Sequence, residues 1–133
     1  MVEENKALVR RFYEAGTGDL SAMDQIVTAD FVDHHWLPDM QPGPESAKAW
    51  FRDVLGSVFS DMEIKIDFLV AEGDMVDCHF ALHCKHTGPF GEIQPKGNPI
   101  VVPAISTFRI EGVKLAEAWE LFDSGPLFEQ MKA

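Results

Sequence analysis

The sequence predicts an α+β fold in which helices come first and strands afterwards, with the helices packed on one face of a strongly curved antiparallel sheet. Three observations carry this reading. Apolar residues in the first 59 positions recur at helical spacing, whereas those from residue 63 to 122 alternate with polar ones at strand spacing. The strand-like runs are long and separated by the turn formers Glu72-Gly73-Asp74, a Gly/Pro-rich span over 88–99, and Glu111-Gly112. The chain has 133 residues and is 46% hydrophobic, enough to bury a core without staples, so one domain over 1–133 is expected.

Leu8, Phe12 and Ala15 define an amphipathic first helix from about Glu3 to Ala15, stopped by Gly16 and Gly18. Asp19 is a plausible cap for a short second helix whose apolar face is Leu20, Met23, Ile26 and Val27. Ala29 to His34 reads as a short strand, followed by a loop containing Pro38, Pro42, Gly43 and Pro44. A third helix begins near Glu45 and carries Ala47, Trp50, Phe51, Val54, Leu55 and Val58 to about Phe59. Strands are then predicted over Glu63–Ala71, Met75–Lys85, Ile100–Ile110 and Leu115–Phe122.

The net charge of −11 opposes binding to phosphate backbones and anionic membranes, and the longest basic cluster is Arg10-Arg11, so no nucleic acid or membrane partner is expected. The acidic start lacks a secretory pattern, no apolar run reaches spanning length, and a cytoplasmic protein is the expectation. Cys78 and Cys84 fall six positions apart on one strand, roughly 20 Å along it, and cannot bond to each other there. His79 and His83 have a metal-like i, i+4 spacing, but four residues on a strand span roughly 13 Å. No metal site and no cofactor motif is read from the chain. His79, Ala81 and His83 leave the outer sheet face weakly charged and uncovered, which points to a homodimer with sheets packed back to back.

Four segments carry a family resemblance: Phe31-Val32-Asp33-His34, the run from His86 to Gly97, Phe108-Arg109-Ile110, and Glu117-Ala118-Trp119-Glu120-Leu121-Phe122-Asp123. Over about Asn5 to Asp123 the chain resembles the SnoaL-like polyketide cyclases. The resemblance implies a cone-shaped α+β barrel of the nuclear-transport-factor type, with three N-terminal helices packed in and over the sheet and a pocket in the cone. It also implies cofactor-independent acid/base chemistry, an aldol-type cyclisation of a polyketide ester, on an apolar oxygenated small molecule.

The family's catalytic carboxylate falls on Glu120, and the histidine two residues before it falls on Ala118. Ser106 stands where the anthracycline cyclases carry another histidine, and Asp33 is matched by asparagine in those enzymes. One buried carboxyl can serve an aldol closure as base and then as acid, and burial raises its pKa towards working pH. Without the resemblance, a strand glutamate such as Glu120 is usually a surface pairing group. His34 is expected to line the pocket as a proton shuttle or substrate contact, beside Asp33, against the alternative of a structural residue closing the strand. His86 shares the apolar parity of its strand, so it faces either the pocket mouth or the following turn, which its ring would anchor. Phe12, Tyr13, Trp50, Phe51 and Val54 should roof the pocket, although aromatic stripes are more often core. A ketosteroid-isomerase-like proton shift is an alternative; Phe12 falls nearest the tyrosine which that chemistry uses, with Tyr13 its neighbour. A non-catalytic ligand-binding module is another.

Overall fold

The computed structural model describes residues 1–133. Its first helix, α1 (Val2–Gly16), is followed by a 3-10 turn at Leu20–Ala22, capped by the Asp19 carboxylate, and by the single helical turn α2 (Met23–Ile26). Strand β1 (Val27–Asp33) comes next, then α3 (Pro44–Ala49), which runs directly into a π-helical turn over Trp50–Leu55. Four long strands follow: β2 (Phe59–Glu72), β3 (Met75–His86), β4 (Pro99–Glu111) and β5 (Lys114–Phe122). A last helix, α4, spans Ser124–Lys132.

The five strands form one sheet in the order β1-β5-β4-β3-β2. All neighbours are antiparallel except β1 and β5, which run parallel. The sheet is α+β in the expected sense but stays open, with β1 and β2 as its edges, and does not close into a barrel. Tight turns at positive-φ Gly73 and Gly112 join β2 to β3 and β4 to β5, and this fixes which residues face each other across the hairpins.

Strand alternation sends Val76, Cys78, Phe80, Leu82 and Cys84 inward from β3, and Ile100, Val102, Ala104, Ser106, Phe108 and Ile110 inward from β4. The main core packs these against α1. Phe12 lies 5.3 Å from Phe108, 5.6 Å from Phe51 and 6.0 Å from Phe31 between ring centroids, and Tyr13 lies 4.8 Å from Phe80. Gly16 makes this packing possible, because a Cβ there would meet the Phe51 ring at 2.4 Å. A smaller core of Val58, Phe59, Leu82, Cys84, Ile100, Val102 and Met131 fills the other end. Cys78 and Cys84 are both free and buried, one in each core.

Two elements depart from expectation. The third helix ends at Leu55 rather than near Phe59, and its second half has i→i+5 bonding; the wider turn brings Trp50, Phe51 and Leu55 to the core and leaves Val54 half-buried and outside both cores. Helix α4 was not anticipated, because Ser124-Gly125-Pro126 reads as a turn, yet proline is tolerated in a first helical turn. Its role is visible in its bonds. Strand β5 ends opposite Ala104, so β4 would show a bare edge beyond that point. The Gln130 side-chain amide covers it, accepting from Val101 N–H at 2.7 Å and donating to Val101 O at 2.8 Å. Met131 of the same helix is fully buried.

Candidate active site

Three strands and one helix bring a small polar group into an apolar interior. Ser106 on β4 faces Glu120 on β5 in register, and Cys78 on β3 faces Ser106 from the other side. The Ser106–Glu120 pairing is set by the turn at Gly112, and the Cys78–Ser106 pairing by the β3–β4 register across the longer 87–98 connection. Above this row, α1 lowers the Tyr13 ring until its hydroxyl sits 2.8 Å from Ser106 Oγ and 2.8 Å from Glu120 Oε2. Ser106 is fully buried, Tyr13 is 2% exposed and Glu120 is 7% exposed. Asp33 at the end of β1 joins them, pairing in register with Ala118, two residues before Glu120, and is itself buried.

Carboxyl groups so placed hold their protons to higher pH than exposed ones. Burial, the nearby Asp33 carboxyl after it, and a partial offset from the Tyr13 hydrogen bond leave the Glu120 pKa pushed up to about 8. Asp33 is raised to about 6 by burial, held back by the His35 N–H that bonds its Oδ1 at 2.8 Å and by the imidazoles of His35 and His34. The Tyr13 phenol lies well above its ordinary value, through burial and then the Glu120 charge. Two buried acids of different pKa beside one phenol can accept a proton from carbon, hold it, and donate it to oxygen.

Of the residues expected here, Glu120, Asp33, Ser106, Ala118 and Tyr13 come together, and Phe12, Phe51 and Trp50 pack in or against the same core. Others do not. His34 turns to the outer face, where Nε2 lies 2.8 Å from Glu117 Oε2 and the ring stacks on Trp119 at 4.8 Å. Parity is the reason: Asp33 points inward, so its neighbour points out. His86 belongs to the far end; it lies eight residues along β3 from Cys78, roughly 26 Å away. Its backbone, not its ring, anchors the turn, donating to Asn98 O and accepting from Gly97 N–H, while the ring is buried near Phe59. Val54 lies outside the core packing.

Where a pocket roofed by the first and third helices and floored by the strands of Ser106 and Glu120 was expected, the rings of Phe12, Tyr13 and Phe51 pack together. The cleft nearest the polar group opens between α1 and β2. It has a volume of about 340 Å³ and is lined by Arg10, Tyr13, Glu14, Met62, Ile64 and Ile66 among others. Tyr13 is therefore the wall between this cleft and Glu120. In the sequence, Phe12 falls nearest the tyrosine position of ketosteroid-isomerase-like chemistry, with Tyr13 its neighbour, so the phenol was expected to be absent or displaced. Both side chains are buried, and the tilt of α1 decides which reaches the carboxyl.

The open α+β fold is matched by comparison. The model of the SnoaL-like polyketide cyclases covers residues 7–131. The chain belongs to that family. Among solved structures, it is similar to TsrD from Streptomyces laurentii, with 25% identity, a TM-score of 0.84, and coverage of 97% of this chain and 95% of that one. IdmH from Streptomyces antibioticus, itself proposed to be a polyketide cyclase, shares the fold at 21% identity and TM-score 0.83, over 97% and 99% of the two chains. So does AclR from Streptomyces galilaeus, proposed to be a hydroxylase, at 22% identity and TM-score 0.81, over 99% and 83%. No curated protein matches the chain. Within this SnoaL-like chain no helix is long and apolar enough to cross a membrane.

Proposed function

We propose that this SnoaL-like protein catalyses an aldol-type ring closure of a polyketide ester, with Glu120 as the group that carries the proton. The observation that supports this most is a buried carboxyl at the sheet floor, held at 2.8 Å by a phenol and titrating near 8. Glu120, ionised, removes a proton from the carbon beside a carbonyl. The enolate carbon then attacks a second carbonyl of the same molecule, and the proton on Glu120 passes to the new alkoxide. One carbon–carbon bond forms, the proton is returned, and the product is an isomer of the substrate. No external oxidant or reductant enters the balance. Asp33 holds a second negative charge nearby, which raises the basicity of Glu120. Tyr13 and Ser106 orient the reacting oxygens, and Ala118 leaves room beside the carboxyl. The substrate reaches the site from the α1–β2 cleft by displacement of Tyr13.

A ketosteroid-isomerase-like proton shift is the second reading, favoured by the phenol of Tyr13 lying inside with an early carboxyl, Asp33. Both readings share enolisation, which is testable without the natural substrate. Incubation with β-keto esters in deuterium oxide should give protein-dependent exchange at the α-carbon, followed by mass spectrometry, and in ordinary water a poly-β-keto ester should close to a ring with unchanged mass. Binding of these esters without exchange would leave a ligand-binding module.

The outer sheet face supports a homodimer as part of the same proposal. Leu121, Ile105, His79 and Phe68 stand in one cross-strand row, with Leu121, Ile105 and Phe68 64%, 45% and 50% exposed. Back-to-back packing of two such sheets buries the row. Sedimentation should show a dimer at micromolar concentration, and Ile105→Lys should shift it to monomer; a wild-type monomer defeats the idea.

A further inference from the structure

The polar group at Glu120 leaves one hydrogen to be accounted for. Tyr13 Oη lies 2.8 Å from both Ser106 Oγ and Glu120 Oε2, yet a phenol has one hydrogen and donates one full bond at a time. One of the two contacts must run the other way. Glu120 decides which. When ionised it only accepts, so Tyr13 donates to it and the Ser106 hydroxyl donates to Tyr13 Oη. When protonated it has a hydrogen of its own to give to Tyr13 Oη, and Tyr13 then donates to Ser106. The Cys78 thiol faces Ser106 in the β3–β4 register and is fully buried beside the pair.

We propose that Ser106 and Tyr13 form a reversible hydrogen-bond chain with Glu120, in which Ser106 is a positioning residue that accepts from Tyr13 when Glu120 is protonated and donates to it when Glu120 is ionised. The proposal rests on the reading of Glu120 as the proton carrier. It requires only rotations of O–H bonds, with every heavy atom in place. Both charge states of the carboxyl then find their partners satisfied, so neither is trapped by a stranded buried donor. The other charged groups acting on the chain are Asp33 from β1 and, on Cys78 beside it, Arg10 from α1 and Asp67 from β2. The π-turn contributes the apolar side chains of Trp50, Phe51 and Leu55 to this core.

Tyr13 is the only tyrosine in the chain, which makes it a reporter without mutation. Protein labelled with carbon-13 at the tyrosine ζ-carbon and the glutamate δ-carbon is titrated from pH 5 to 10. The tyrosine signal should move with the midpoint of the Glu120 carboxyl signal, and this movement should vanish in Glu120→Gln, leaving any inflection due to Asp33. Ser106→Ala should keep the Glu120 titration but cut the tyrosine response at least threefold, because the phenol then has only the carboxyl to bond in either state. Ser106→Thr should restore it. A tyrosine signal that stays flat while Glu120 titrates, one that moves equally in Glu120→Gln, or a Glu120 carboxyl with no titration in this range overturns the chain. Wild type and Glu120→Gln decide the matter if Ser106→Ala does not fold. All these spectra are taken without substrate, so absence of α-carbon exchange defeats the proposed reaction while leaving this result standing.

Discussion

Glu120→Gln is expected to lower α-carbon exchange and ring closure about 100-fold or more while ester affinity changes little. Glutamine keeps the size of the side chain and can still meet the Tyr13 hydroxyl, so the core around Phe80 and Phe108 need not repack. What it lacks is a titrating proton, and that isolates chemistry from packing. The matched comparison is Asp33→Asn, which removes a charge that raises Glu120 and should reduce exchange by a smaller factor. Should Glu120→Gln exchange at near-native rate while Asp33→Asn abolishes it, the proton carrier is Asp33 and the roles are reversed. His34→Ala, on the opposite face of the sheet, should leave the rate within a factor of about two in either case.

Stability should fall as pH rises from about 5 to 9, and part of that slope should belong to Glu120. The sign follows from linkage. A carboxyl whose folded pKa lies above its unfolded value binds its proton more tightly in the native state, so its contribution is complete below the unfolded pKa, near 4. It is lost as pH rises, until the folded pKa is passed: about 6 for Asp33 and about 8 for Glu120. While the unfolded Glu120 is ionised and the folded one is not, the slope is ~1.4 kcal/mol per pH unit. Thermal unfolding followed by circular dichroism should show Tm dropping across this window. Glu120→Gln should flatten the segment between pH 6 and 8 and be the more stable protein at pH 9. A wild-type Tm that rises between pH 6 and 8 would mean the carboxyl is already ionised in the native interior.

Much of the site was legible in the long strands and much less in the short segments. Alternation over β5 groups Ala118, Glu120 and Phe122 on one face, whereas the choice of Glu120 and Ser106 as site residues came from the family resemblance; the structure pairs the two in register. Strand β1 has seven residues with an irregular register against β5, so its alternation was a poor guide to whether Asp33 or His34 looks inward. On α1, Phe12 and Tyr13 are both buried, because the helix is embedded rather than half-exposed there, and helical spacing alone does not separate them. The π-turn has no residue signature, which is how Val54 was placed on the wrong face. Helix α4 was masked by Gly125-Pro126, turn formers that here start a helix.

The Tyr13–Glu120 hydrogen bond joins residues 107 positions apart, and β1 finds its only strand partner in β5. During synthesis, then, the amino-terminal quarter of the chain emerges long before the strand it needs. The β2–β3–β4 meander can zip up first and offer Phe80 and Phe108 to α1, but β1 must wait for its strand partner, and Tyr13 for Glu120, until the last strand is released. Loop closure of this span comes late and is slow relative to the local hairpins. Acid/base competence is consequently the final property the nascent chain acquires, and a ribosome-stalled product truncated before Lys114 would carry the meander without the site.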